Sequence, residues 1–292
     1  MTLNRRRFLA LSACALATPA AAGARHRWQG VALGADVTLT VAGGTAAAAR
    51  AFFAEAARSL RGVERRFSLF AGSDLRRLNA IGHLANPSPD MLAVLDLAGR
   101  VHAATQGVFD PTVQPLWQAR RFGSDEGPAA ALIGWQGVRV TPAGVRLARP
   151  GMALTLNGIA QGFAADRLAE IAIRHRLADV LIDAGEVRSV GPAPWTARIA
   201  APDGRILRDL ALRDRALATS APYGTLIGPA GDRAHIIGPN GQAPRWSLVS
   251  ISADRAMLAD ALSTAAVLMT RVQIEAALAA FPGARIEAIA PL

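Results

Sequence analysis

Lysine is missing from the 292-residue chain, so all 32 basic side chains are Arg, and cysteine and tyrosine occur once each. One cysteine excludes a disulfide framework and a Cys-rich metal knuckle. Aromatics make up only 5% of the residues, too few to interleave with basic side chains as a nucleic-acid stacking surface. The formal charge of +10 is not gathered into a stripe: Arg usually stands near an acid, as in Asp74-Leu75-Arg76 and Asp214-Arg215. No nucleic-acid partner is therefore expected. Charged residues are 18% and hydrophobic ones 51%, which excludes intrinsic disorder, and Gly and Pro follow no collagen period. A run long enough to span a bilayer, about 20 apolar residues, is also lacking.

The N-terminus reads as an address. Asn4-Arg5-Arg6-Arg7-Phe8-Leu9 precedes an apolar run to Ala17 and small residues from Ala20 to Ala24. This is the order of an export signal, and the paired Arg with Phe-Leu indicates the twin-arginine route. The expected division is a signal peptide over 1–24 and one domain over 25–292, with a periplasmic mature protein of charge +7. Leu11-Ser12-Ala13-Cys14 also fits a lipid-anchoring site, the alternative localisation. No membrane span is expected in the mature chain.

Periodicity along the mature chain predicts mixed elements. Val37–Val41 alternates as a strand, and Thr45–Leu60 carries apolar residues at helical spacing. Ser88 and Pro89 open a helix through Val101. Val138–Val140 and Val145–Leu147 flank a turn, Gly158–His175 reads as helix, Val180–Ile182 as buried strand, and Pro202-Asp203-Gly204 as a hairpin turn. Helices follow at 254–269 and 273–280. Hairpins among long helices predict an α+β fold, mostly antiparallel sheets covered by helices.

Four segments carry candidate chemistry. In Gly107-Val108-Phe109-Asp110-Pro111, proline forces Asp110 out of helical geometry, for a displayed carboxylate or an ordinary capped loop. Thr155-Leu156-Asn157-Gly158-Ile159-Ala160-Gln161-Gly162 runs into a helix whose start offers unpaired N–H groups to a phosphate, or whose glycines permit close packing. His235-Ile236-Ile237-Gly238 is expected to begin a strand with an imidazole at its end, a proton acceptor near neutral pH or a structural side chain. Asp260 and Thr264 lie four apart on one helix face, hard oxygen ligands suited to Mg²⁺, or a solvated acid with a hydroxyl bonded one turn back.

Taken in order, these segments, together with Leu33-Gly34-Ala35 and Phe67-Ser68-Leu69-Phe70, resemble the flavin transferases of the ApbE family across essentially the whole mature chain. The resemblance implies a T-fold-like architecture and a Mg²⁺-dependent reaction that splits FAD. FMN would be joined through a phosphoester to a Thr or Ser of an acceptor flavoprotein. It implies that Leu33, Phe70, Val108, Phe109, Asp110, Thr155, Gln161 and Ile237 border FAD. It assigns the metal to Asp260, Thr264 and the carbonyls of Gly158 and Ser263, and the base to His235. Three positions depart from the family pattern: Thr155 replaces an Asp, Gln161 a Lys or Glu, and Gly238 an Asp. These losses bear on metal affinity and turnover more than on fold. The alternative is a degenerate FAD-binding or FAD-delivery protein; a flavin oxidoreductase is disfavoured because no nicotinamide motif is present.

Overall fold

The computed structural model describes residues 14–16, 24–70 and 72–292. Of the N-terminal address, only Cys14–Leu16 and Ala24 fall among the described residues, the former as a short strand antiparallel to Trp195–Ala200. The remaining address, and with it the expected cleavage region before Ala24, lies outside them.

The central sheet has seven strands: β1 (Arg25–Ala32), β2 (Ala35–Ala42), β3 (Asp179–Asp183), β4 (Val187–Val190), β5 (Ala216–Ser220), β6 (Trp246–Ala253) and β7 (Arg285–Pro291). Each strand lies beside the one before it, and every pair is antiparallel. Such a sheet needs no parallel crossover, so long connections are free to carry helices. Between β2 and β3 run α1 (Ala46–Phe67), α2 (Asp74–Ile81), α3 (Pro89–Ala104), α4 (Gln114–Phe122), α5 (Glu126–Ala130) and α6 (Ala160–Arg174). Between β6 and β7 come α7 (Ala256–Ala266) and α8 (Arg271–Leu278). Among the described residues, no helix is long and apolar enough to cross a membrane.

Local chemistry explains the helix ends. Thr45 caps α1 by accepting from the Ala48 N–H, and Ser88 caps α3 with Pro89 in its first turn. The apolar stripe of α1 extends past Leu60 through Val63 to Phe67, so this helix is longer than its first sixteen residues suggest. Thr270 and Gln273 form a capping box on α8.

Alternation within the strands sends apolar groups to both faces of the central sheet. Val180 and Ile182 join the larger core with α6, α7 and Phe52 of α1, whereas Leu181 faces Trp195 and Ile199 of the sheet formed by Trp195–Ala200 and Ile206–Leu212. The result is a helical layer, a seven-stranded sheet and a small backing sheet. The α+β reading holds. A separate three-stranded sheet, His83–Ala85 with Gly144–Leu147 and Val138–Thr141, forms at the turn expected from the sequence.

α6 and α7 cross where Gly162 meets the first turn of α7. A Cβ at Gly162 would come within 2.3 Å of the Ala256 carbonyl oxygen, so only glycine permits this approach. The crossing brings the start of α6 to the last turns of α7 and thereby positions the candidate site.

Candidate functional site

A cleft of ≈ 60 Å³ joins all four candidate segments: Val108, Phe109 and Asp110 from the first, Thr155 and Gly158 from the second, Ile236 and Ile237 from the third, and Thr264 from the fourth. The Thr155 N–H donates to the Pro111 carbonyl at 2.8 Å, fastening the first two segments together. Gly158 packs directly on Thr264: an added Cβ would lie 2.8 Å from its Oγ1.

The helix start is irregular for a definite reason. In a regular turn the Gly162 N–H would donate to the Gly158 carbonyl. Instead it donates to Asp260 Oδ2 at 3.0 Å. Among the described residues, the Gly158 carbonyl consequently receives no helical hydrogen bond, and α6 begins at Ala160 without a side-chain cap. Thr264 Oγ1 makes no hydrogen bond there either, because the hydroxyl that bonds back to the Asp260 carbonyl belongs to Ser263, at 3.1 Å. The Ser263 carbonyl accepts only a long 3.4 Å bond from the Val267 N–H as α7 ends. Ser263 is further fixed by Ser220 of β5, Oγ to Oγ 2.9 Å.

Asp260 is buried, not solvated. Burial pushes its carboxyl up to about 7, against the backbone N–H of Gly162 that favours the charged form. A second buried carboxyl, Glu186, follows the β3–β4 turn and accepts from the Thr219 N–H at 3.2 Å. It is pushed well above the ordinary range by burial and by the negative charge of Asp260. Asp183, at the end of β3, is raised to about 6, chiefly by burial. Sequence reasoning passed over Glu186. Its available signal was Asp183-Ala184-Gly185-Glu186, two carboxylates in a tight turn directly after the apolar run Val180-Leu181-Ile182.

One carboxylate, one hydroxyl and carbonyl oxygens with unfilled lone pairs are hard ligands, fitting Mg²⁺ better than Zn²⁺. Among the described residues, no trio of His, Cys, Asp or Glu is placed to hold a metal. A cation here would therefore rely on Asp260, Thr264 and main-chain oxygen, with its remaining positions open to water and substrate.

His235 does not begin a strand. The short strand Arg233–Ala234 ends just before it, and residues 235–237 run as loop. The ring is captured instead: Nδ1 lies 2.8 Å from the Pro222 carbonyl and 3.0 Å from the Thr225 carbonyl. Two acceptors at Nδ1 require a proton there, leaving Nε2 as the free lone pair of a neutral ring. Burial lowers the imidazole's pKa, opposed by both carbonyls, and so favours that neutral form. Trp117 Nε1 donates to the His235 carbonyl at 3.0 Å, holding the backbone as well. His235 adjoins the cleft through Ile236 but is not part of its wall.

The remaining candidates have distinct settings. Asp110 borders the cleft and also caps a short 3₁₀ turn, accepting from the Thr112 N–H at 2.8 Å and Thr112 Oγ1 at 2.6 Å. Gln161 lays its amide against Gly185, whose φ of +93° and absent Cβ make the contact possible. Leu33, with φ of 50°, turns β1 into β2, and its N–H donates to Glu64 at 3.2 Å. Phe70 is 68% exposed on a loop. Neither Leu33 nor Phe70 lines the cleft as it stands.

The antiparallel α+β core brings the four candidate segments together around one oxygen-rich notch, with His235 next to it in sequence through Ile236. The ApbE family model matches residues 33–289, and the chain belongs to the ApbE family. Two similar proteins are both called FAD:protein FMN transferase. The Treponema pallidum relative is 34% identical over 162 residues, 49% of this chain and 45% of its own length. The Rhodobacter capsulatus relative is 28% identical over 229 residues, 70% of this chain and 44% of its own. The chain thus spans less than half the length of either relative. Among solved structures, the ApbE protein of Thermotoga maritima superposes with a TM-score of 0.80 at 25% identity, covering 92% of this chain and 97% of that one.

Proposed function

We propose that this protein is an exported, Mg²⁺-dependent FAD:protein FMN transferase. One observation carries the reading: the Gly162 N–H is drawn to Asp260, and this leaves the Gly158 carbonyl and Thr264 hydroxyl together as unfilled oxygen ligands at the cleft. Family membership supplies the reaction class.

In this reading Asp260, Thr264 and the carbonyls of Gly158 and Ser263 hold Mg²⁺. The bound cation supplies charge neutralisation and orientation to the diphosphate of FAD. The opening turn of α6 keeps its own donors occupied, Ala160 on the Leu156 carbonyl, Gly162 on Asp260 and Phe163 on the Ile159 carbonyl, so the cation and not the helix start carries the diphosphate's charge. Gln161 offers neutral hydrogen bonding. Leu33, Phe70, Val108, Phe109, Asp110, Thr155 and Ile237 are assigned to FAD. A ≈ 60 Å³ cleft is far below the roughly 300–1,000 Å³ of small-molecule pockets, so FAD binding requires these walls to part.

His235 Nε2 takes the proton of an acceptor Thr or Ser hydroxyl. That oxygen forms a bond to the FMN phosphorus, the bridging P–O bond to AMP breaks, and AMP leaves with the electron pair. The two carbonyls at Nδ1 orient the ring and stabilise the imidazolium formed. They perform the service that the missing acid at Gly238 would otherwise supply, which favours an active enzyme over a carrier.

The test incubates the purified protein with FAD, Mg²⁺ and an acceptor domain bearing a Thr in its attachment segment. Covalently fluorescent acceptor and released AMP are expected; tight FAD binding without AMP would replace the transferase by the carrier. Export is proposed on the Arg5-Arg6 signal, and it places the acceptor in the periplasm or on the outer face of the membrane. Arg5→Lys/Arg6→Lys should leave the precursor in the cytoplasm, and unchanged export would remove the twin-arginine route.

A further inference from the structure

A second hollow, ≈ 260 Å³, lies away from the cleft above on the small three-stranded sheet. Its strands pair in a register that sets Arg146 directly opposite His83 on one side and Arg139 on the other. Opposed residues on antiparallel strands share a face, and all three of these are exposed, whereas the alternating Leu84, Val145 and Leu147 are buried in the core. One face of the sheet therefore carries a row of three basic side chains.

This arrangement is unfavourable for the protein alone, because like charges directly opposite destabilise a sheet. Most other Arg side chains near an acid are paired with it, as Arg120 is with Glu126 and Arg198 with Asp209. Among the described residues, Arg139 and Arg146 have neither an ion-pair nor a hydrogen-bond partner, and no acid lines the hollow. The next row on the same face is Ala85, Gly144 and Thr141, a low floor beside the cations.

We propose that this face binds an extended, Asp/Glu-rich segment of a partner protein. The distribution of charge selects that occupant over a small anion. Three basic groups spread over two strand spacings, about 10 Å, do not converge on one phosphate but match successive carboxylates along a chain. The hollow is also open and falls below the roughly 300 Å³ at which small-molecule pockets begin. Its floor of small side chains admits a backbone lying flat, and the chain's net positive charge steers acidic partners toward it. The proposal holds whether or not the transferase reading does.

Fluorescence anisotropy of a labelled peptide of alternating Glu and Ser tests it. At low salt the wild-type chain should bind saturably and weaken as salt rises. Arg139→Glu/Arg146→Glu should bind at least about tenfold more weakly. Arg61→Glu/Arg285→Glu, the same charge change at exposed residues elsewhere, should stay within about twofold of wild type. Arg139→Gln/Arg146→Gln, which removes charge without reversing it, should fall between. Equal loss in both charge-reversal variants would reduce the effect to net charge and overturn the site. Absence of saturable binding to wild type would also overturn it, as would full displacement of peptide by inorganic phosphate at equal charge concentration.

Discussion

Asp166 and Asp260 are both buried carboxylates at the α6–α7 crossing, yet their surroundings differ in kind. Asp166 caps α7: it accepts from the Ala256 N–H at 2.8 Å, the Met257 N–H at 3.1 Å and Arg255 Nε at 3.1 Å. Burial raises its pKa, and the Arg255 charge with those N–H groups pulls the other way. Asp260 has one N–H and no Arg to offset its burial; the Asp166 charge repels it, and its own charge in turn raises Glu186. Burial therefore does not mark the functional residue; incomplete neutralisation does. The crossing is closed at the Asp166 end, and in the proposed reading the Asp260 end is the one that takes a cation.

The sharpest way to break the comparison is to exchange the expected outcomes. Asp166→Ala should cost about 2–4 kcal/mol of stability, because it leaves the buried N–H groups of Ala256 and Met257 without their acceptor; urea denaturation measures it. A loss below 1 kcal/mol would show that this end is not the structural one. Next in size, His235→Ala should slow transfer by about 10²-fold while FAD affinity persists. With the imidazole's pKa lowered, the wild-type rate should stay level through neutral pH and fall only as acid protonates Nε2 below the ordinary value near 6.5. A rate that falls already between pH 8 and 7, about one unit above that value, would contradict the assignment.

The Asp260 end should also show a pH signature. Its folded pKa, about 7, stands above the ordinary 3.8, so its contribution to metal-free stability is full below the lower value and lost as pH rises through the upper one. Mg²⁺ reverses that loss by favouring the carboxylate, and its affinity should fall about tenfold per pH unit below 7. Calorimetric titration at several pH values checks this; pH-independent binding would move the cation elsewhere. Smallest of all, Gly158→Ala should destabilise the fold by about 1–3 kcal/mol, since its Cβ collides with Thr264, and should weaken Mg²⁺ binding alongside.

Much of this was legible in one dimension. The Val180-Leu181-Ile182 run announced a strand buried on both faces, and the stripe from Phe52 to Leu60 announced α1. Asp260 and Thr264 declared a shared face by their spacing. What remained hidden depends on contacts between distant segments. The bond from Gly162 to Asp260 links residues 98 apart, and no local pattern reveals that a helix start has surrendered its own hydrogen bond. Nor does spacing show that carbonyls of Pro222 and Thr225 would hold His235, or that a two-residue strand would stop before it. Glu186 escaped because its burial arises from contacts between distant segments, Gln161 of α6 lying against Gly185 of the same turn and Thr219 of β5 donating to its carboxylate.

The most direct trial of the open end is AMP release from FAD as Mg²⁺ is titrated into wild type and Asp260→Asn, with circular dichroism confirming that both are folded. Wild type should show saturable, chelator-reversible release, and Asp260→Asn should lose about 10³-fold, the share of the barrier ascribed to the metal. Equal release by the two proteins, or release from wild type that persists in excess chelator, would contradict a cation held at this crossing.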